Sequence, residues 1–204
     1  MHLNGVKAMN NELDILQKDL EIFEAMVAEV NDYLMSESTD WTMSRGDMPK
    51  LTLGGCLMRC HRLSAVRSSL PLELQARIEA ACTRLQVAMS GDGKTIRFEH
   101  RAHQEMRLRL REWGRHLRDM SSRAMARPEQ YASVVDTRVV IELLLQRLSQ
   151  PQFRLDPDLK EELAALDKHL QGRWQPGSFV WPAVWQPAYP AGTYWWLYGQ
   201  IKQA

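Results

Sequence analysis

Leu13, Leu16, Leu20, Phe23, Val27, Val30 and Leu34 recur at alternating steps of three and four, which puts them on one face of an α-helix. The positions between them are mostly acidic, including Asp14, Asp19, Glu21, Glu24, Glu29 and Asp32. The first predicted helix therefore buries one side and presents negative charge on the other. A polar loop is expected over residues 36–49, and a second helix after Pro49, through residues 50–66. Gly54 and Gly55 sit near its start, where each costs about 1 kcal/mol of helix stability relative to alanine. The pair points to close approach of another backbone or to a late helix start. Pro71 opens a third helix, in which Leu74, Ile78, Ala81, Leu85 and Ala88 repeat the four-three spacing.

The fourth helix, expected from about Ile96 to Ala124, has the clearest pattern. Phe98, Ala102, Met106, Leu110, Trp113, Leu117 and Met120 fall on one face, and Arg97, Arg101, Arg107, Arg111, Arg115 and Arg118 are assigned to the opposite one. Between Pro128 and Pro151 the length favours a fifth, buried helix, although Val134, Val135, Val139, Val140 and Ile141 give it a β-prone centre. A sixth is predicted from its ends: Asp156 as amino-terminal cap, Pro157 in the first helical position and Gly172 just past the last. The expected fold is mainly α, a single-domain bundle of five or six helices over residues 1–172. A Trp/Pro-rich tail over 173–204 completes the chain.

That tail holds Trp174, Trp181, Trp185, Trp195 and Trp196 together with Tyr189, Tyr194 and Tyr198. Its prolines deny it a long helix, and side chains of this size are not left in water. Trp174, Phe179 and Trp181 are expected to cover the helices as a lid. Tyr194, Trp195, Trp196, Leu197 and Tyr198 are five consecutive large side chains, read as an anchor for a protein partner because one core is not expected to take all of them.

Charge sharpens the picture. Residues 11–40 carry nine acids against the single base Lys18, and residues 41–127 carry seventeen Lys or Arg against eight acids, although the chain as a whole is only +1. The arginines of the fourth helix are therefore either neutralised by the acidic first helix or offered to an anionic partner, with bidentate pairing favouring carboxylate or phosphate. No run approaches the roughly 18 apolar residues of a membrane span, and the amino terminus lacks the apolar core of a signal peptide. No membrane association and a cytoplasmic location are expected, with the three cysteines, an odd number, reduced.

Two local motifs raise the question of chemistry. Ala88 to Thr95, AMSGDGKT, matches the relaxed phosphate-loop pattern, but helical periodicity precedes it where a phosphate loop needs a strand. It reads instead as the turn of a helical hairpin, with Gly91 as a carboxyl cap, Thr95 capping the next helix and Lys94 in solvent. Cys56, Cys60 and His61 could begin a soft-metal site if folding supplied a further ligand, although buried reduced cysteine is the commoner use. Neither a metal nor any other cofactor is assigned, and no catalytic residue is legible. The sequence thus points to a non-catalytic interaction subunit or adaptor with a protein partner. A sequence-tolerant nucleic-acid-binding subunit using the fourth helix is the alternative. A metal- or nucleotide-dependent enzyme is the third reading.

Overall fold

The computed structural model describes residues 2–38, 40–91, 93–120 and 128–202. Among these the chain forms seven α-helices: α1 (His2–Met35), α2 (Leu53–Val66), α3 (Leu72–Ala88), α4 (Lys94–Asp119), α5 (Pro128–Val134), α6 (Asp136–Leu148) and α7 (Pro157–Gln171). Two short strands, β1 (Trp174–Phe179) and β2 (Tyr198–Ile201), follow them. The mainly α bundle expected from periodicity is what forms. The fifth segment is two helices, divided at Val135, with no side chain capping the start of the second. The last residues predicted for the fourth helix, 121–124, lie outside the described residues.

The stripe from Leu16 to Leu34 on α1 is buried, together with Met26 and Tyr33. This face packs on α2 and α3, while α4 packs chiefly on α6 and α7. α2 lies between the groups and touches α1, α3, α6 and the tail. Gly54 shows why its start is glycine-rich. A β-carbon there would stand 2.1 Å from Val140 Cγ1 and 2.8 Å from Glu105 Oε1, so the close approach is real and comes from α6 and a side chain of α4. Thr52 caps the helix, its side chain accepting from Gly55 N at 3.0 Å.

Gly91 and Gly93 have φ of +104° and +71°, a turn that carries the chain from α3 to α4. Two details depart from expectation. Thr95 lies inside α4 rather than capping it, and the Lys94 ammonium is directed to the Val87 carbonyl at 3.5 Å. Nor are α3 and α4 packed as a hairpin, since α1 and α2 already occupy the apolar stripe of α3.

The tail folds back on itself. β1 and β2 pair antiparallel, Trp174 opposite Ile201 and Phe179 opposite Tyr198, with an irregularity between Pro176 and Phe179. Between the strands, 3₁₀ turns at Ala183–Ala188 and Trp195–Leu197 drive Trp185, Tyr189, Tyr194, Trp196 and Leu197 into the same core as the helices. Burial therefore runs opposite to the expected division. Tyr194, Trp196 and Leu197 are buried, Trp195 and Tyr198 are half-buried, and so are Trp174, Phe179 and Trp181. The terminal run is no exposed anchor. A 3₁₀ turn spreads consecutive side chains around its axis: three enter the core, Trp195 meets Trp174 edge-on at 5.6 Å, and Tyr198 lies 5.2 Å from Phe179.

Cys60 of α2 and Cys82 of α3 form a disulfide, their Cα atoms 5.7 Å apart, which leaves Cys56 as the free thiol. This corrects the expectation of reduced cysteines, and disulfides persist mainly in oxidising compartments. The bridge closes a loop of sequence separation 22, so reducing it should lower the unfolding free energy by about 3 kcal/mol. Alkylation of the unfolded protein before reduction should label Cys56 alone. Labelling of all cysteines without reductant would remove the bridge from the account.

Candidate functional site

The six arginines assigned to one face of α4 have different surroundings. Arg101 is buried, at 4% exposure. Its guanidinium donates to the carbonyls of Ser36 and Ser38 and lies 5.3 Å from the Tyr33 ring. It is thus a structural clamp on the open carboxyl end of α1, where cations satisfy unpaired carbonyls. Arg107 pairs with Asp156, the cap of α7, at 2.8 Å. Arg97 is exposed near the start of α4, and Arg111, Arg115 and Arg118 are exposed farther along it. Only these last three share a cleft.

The acidic helix does not neutralise them. Asp19 of α1 is bound by Arg62 and Arg59 of α2, and Glu24 is bound by Arg77 of α3 at 2.7 Å. Glu29 accepts from the Trp41 indole at 2.7 Å and from Ser44 N at 3.0 Å. These three carboxylates of α1 are spent on the second and third helices and on the loop. Arg111 and Arg118 have no ion-pair partner within 4.0 Å among the described residues, and Arg115 only reaches Glu112 at that limit.

The cleft they border is about 730 Å³ and is walled by α2, α4, the start of α6 and the loop residues Asp40, Pro49, Lys50 and Thr52. Its interior rests on a feature of α4 that the arginine pattern hid. Arg101, Glu105, Arg109, Glu112 and His116 each precede one residue of the apolar stripe, namely Ala102, Met106, Leu110, Trp113 and Leu117. They form an alternating charge ladder beside the core. That one-residue offset is the sequence signal that would have found it.

Glu105 is only 1% exposed. Its Oε2 accepts from Gly54 N at the start of α2 at 3.1 Å, and Arg109 Nε stands 3.5 Å from its Oε1. Burial raises its carboxyl above the usual carboxylate range, against the pull of Arg109 and the Gly54 N–H. Asp136, at the start of α6, is raised as well, again first by burial and against Arg109. Burial opposes the charge on Arg109, but Glu105, Glu112 and Asp136 together hold its guanidinium above the ordinary value. Arg59 is lowered by burial, with Asp19 acting against the shift. Such displaced acids and bases in one cleft mark it as the candidate site.

The cysteine-histidine motif does not converge. Cys60 is bonded to Cys82, and burial pushes the Cys56 thiol up to about 12. The His61 ring faces the tail, 2.7 Å from the Ala188 carbonyl oxygen, and burial lowers its pKa despite that hydrogen bond. Among the described residues, no three His, Cys, Asp or Glu side chains are placed to hold a metal ion. None of their helices is long and apolar enough to cross a membrane. Comparison with protein-family models, curated proteins and solved structures finds no match to this chain.

Proposed function

We propose that the protein is a non-catalytic interaction subunit that docks an acidic segment of a protein partner in the cleft between α2, α4 and α6. The observation that carries this reading is the row of exposed guanidiniums at Arg111, Arg115 and Arg118, which line that cleft and pair with no acid of α1 among the described residues. Spacings of four and three residues set them along one helix side, where each planar fork suits a carboxylate. Leu108, 43% exposed, lies in the same wall and gives the segment an apolar contact.

A nucleic acid fits less well. The sequence pI of about 7.8 falls short of the strongly basic character usual in such domains. Binding to a blocked decaglutamate peptide and to an oligothymidylate, read by fluorescence anisotropy at low salt, separates the two. The peptide is expected to bind. The combined change Arg111→Gln, Arg115→Gln and Arg118→Gln should weaken it by more than about tenfold, since each charge-assisted contact contributes roughly 1.5 kcal/mol. Melting should change little, because all three side chains are exposed. Absence of peptide binding by the parent overturns the proposal, and tighter binding of the oligonucleotide would transfer the cleft to nucleic acid.

A further inference from the structure

The disulfide is set in a second cavity. Cys60 and Cys82, both half-buried, line a pocket of about 240 Å³ bordered by α2, α3 and α6, which shares no lining residue with the docking cleft. Three amides, those of Gln86, Gln146 and Gln150, also border it. Among the described residues no acid lines it, and Arg147 is its one charged side chain, burial having lowered the pKa of His61. The Arg147 guanidinium lies 5.8 Å from the Phe153 ring, and its Nη2 donates to Gln86 Oε1 at 2.7 Å. It has no ion-pair partner among the described residues, and burial lowers its pKa with no carboxylate acting against the shift. A partly desolvated guanidinium without an anion calls for a carboxylate. Nη1, accessible and without an acceptor, is free to meet one.

The bridge beside it is placed for exchange. Ser64 Oγ lies 3.5 Å from Cys82 Sγ and 4.0 Å from Cys60 Sγ, so its hydroxyl can donate to a thiolate as one forms, and Cys82 is the nearer. A sulfur stabilised as the anion leaves faster. Gln86 stands one helical turn beyond Cys82, about 6 Å along the axis. The guanidinium it binds is thereby kept within reach of one or two extended peptide residues, at roughly 3.4 Å each.

We infer that this pocket is a thiol–disulfide exchange site for a small thiol that carries a carboxylate, of the size of a cysteine-containing dipeptide or tripeptide. The carboxylate pairs with Arg147, and the thiolate, its proton lost to solvent, attacks Cys60 Sγ. A bond forms between the incoming sulfur and Cys60, the Cys60–Cys82 bond breaks, and its electron pair leaves on Cys82, to which Ser64 donates until solvent supplies a proton. A second thiolate then attacks the incoming sulfur of the mixed disulfide and releases Cys60 as a thiolate. Two small thiols are oxidised to their disulfide and the protein disulfide is reduced, so the electrons balance with no other reactant.

Glutathione is the probe, set against its diethyl ester, which keeps the thiol and removes both carboxylate charges. Each rate on the native parent is divided by the rate of the same thiol on 2-hydroxyethyl disulfide, which cancels intrinsic nucleophilicity. The normalised rates are expected to favour glutathione by about tenfold, the order of one charge-assisted contact. Arg147→Gln should bring them together. Acid quenching and peptide mass mapping should find the first glutathionyl group on Cys60, with Cys82 free to alkylate. A bridge that resists glutathione until the chain unfolds, or equal normalised rates on the parent, overturns the exchange site. A preference that survives Arg147→Gln overturns the carboxylate contact, and a first adduct on Cys82 overturns the direction of attack. If Arg147→Gln fails to fold, the two thiols on the parent still decide.

Discussion

Trp196→Ala should lower the unfolding free energy by about 3–5 kcal/mol, the range for truncating a large aromatic side chain in a packed core. Trp196 is 2% exposed, its ring lies 3.7 Å beneath the Arg138 guanidinium, and its carbonyl accepts the Tyr131 hydroxyl at 2.7 Å. The loss is in packing, since the carbonyl survives the change and the Tyr131 bond with it. Trp195→Ala is the control. That ring is half-buried against Trp174, and its removal should cost only about 1–2 kcal/mol. Urea denaturation of the two variants beside the parent measures the difference. A Trp196 variant as stable as the parent, or a larger loss at Trp195, would show that the terminal run is not core. A Trp196 variant that remains folded should keep the parent affinity for the decaglutamate peptide, because no residue of the tail lines the proposed docking cleft.

The tail and α4 show what the sequence can and cannot say. The 3.6-residue period was decisive for α1, α3 and α4 because one face of each meets a single apolar neighbourhood, so local spacing and tertiary burial agree. It failed for Tyr194 to Tyr198, where the expectation of an exposed anchor assumed a run of five large residues could not be shared out. A 3₁₀ turn between paired strands shares it, and strand pairing across more than twenty residues leaves no periodic trace. The arginines of α4 were legible as a group but not as individuals. Arg101 stands one position before Ala102, close enough to the apolar stripe to be buried, and the carbonyls it binds end a helix more than sixty residues earlier. Glu105 likewise stands one position before Met106 of the stripe and is buried. Its partner, the Gly54 N–H, was visible as a glycine requiring close approach, yet spacing alone could not say what approached. The cleft itself is a relation among three helices and a loop, and its arginine rim became distinctive only once Asp19, Glu24 and Glu29 of α1 were seen to pair elsewhere.

Arg138→Met is expected to cost about 3 kcal/mol, because removing one member of a buried ion pair strands the others. Arg138, on α6, is 2% exposed. It holds Asp167 of α7 through Nε at 2.9 Å and Nη2 at 2.8 Å, and Glu142 through Nη1 at 3.1 Å. Methionine keeps most of the stem but leaves two carboxylates without their cation. Both retain some access to water, with side-chain exposures of 19% and 16%, which sets the expectation at the low end of the usual range for broken buried pairs. Arg138→Lys should fall between, since an ammonium restores the charge without the fork that grips Asp167. The same guanidinium covers Trp196, so the tail and the α6–α7 contact are held by one side chain. The double variant with Trp196→Ala should therefore lose less than the two single losses combined, by about 1 kcal/mol, the order of a desolvated cation–π contact. Denaturation of the four proteins in that cycle gives the coupling directly. Strict additivity would mean that guanidinium and ring contribute independently despite their 3.7 Å separation, and the tail would then be fastened by its apolar burial and by hydrogen bonds such as that of Tyr131 to the Trp196 carbonyl.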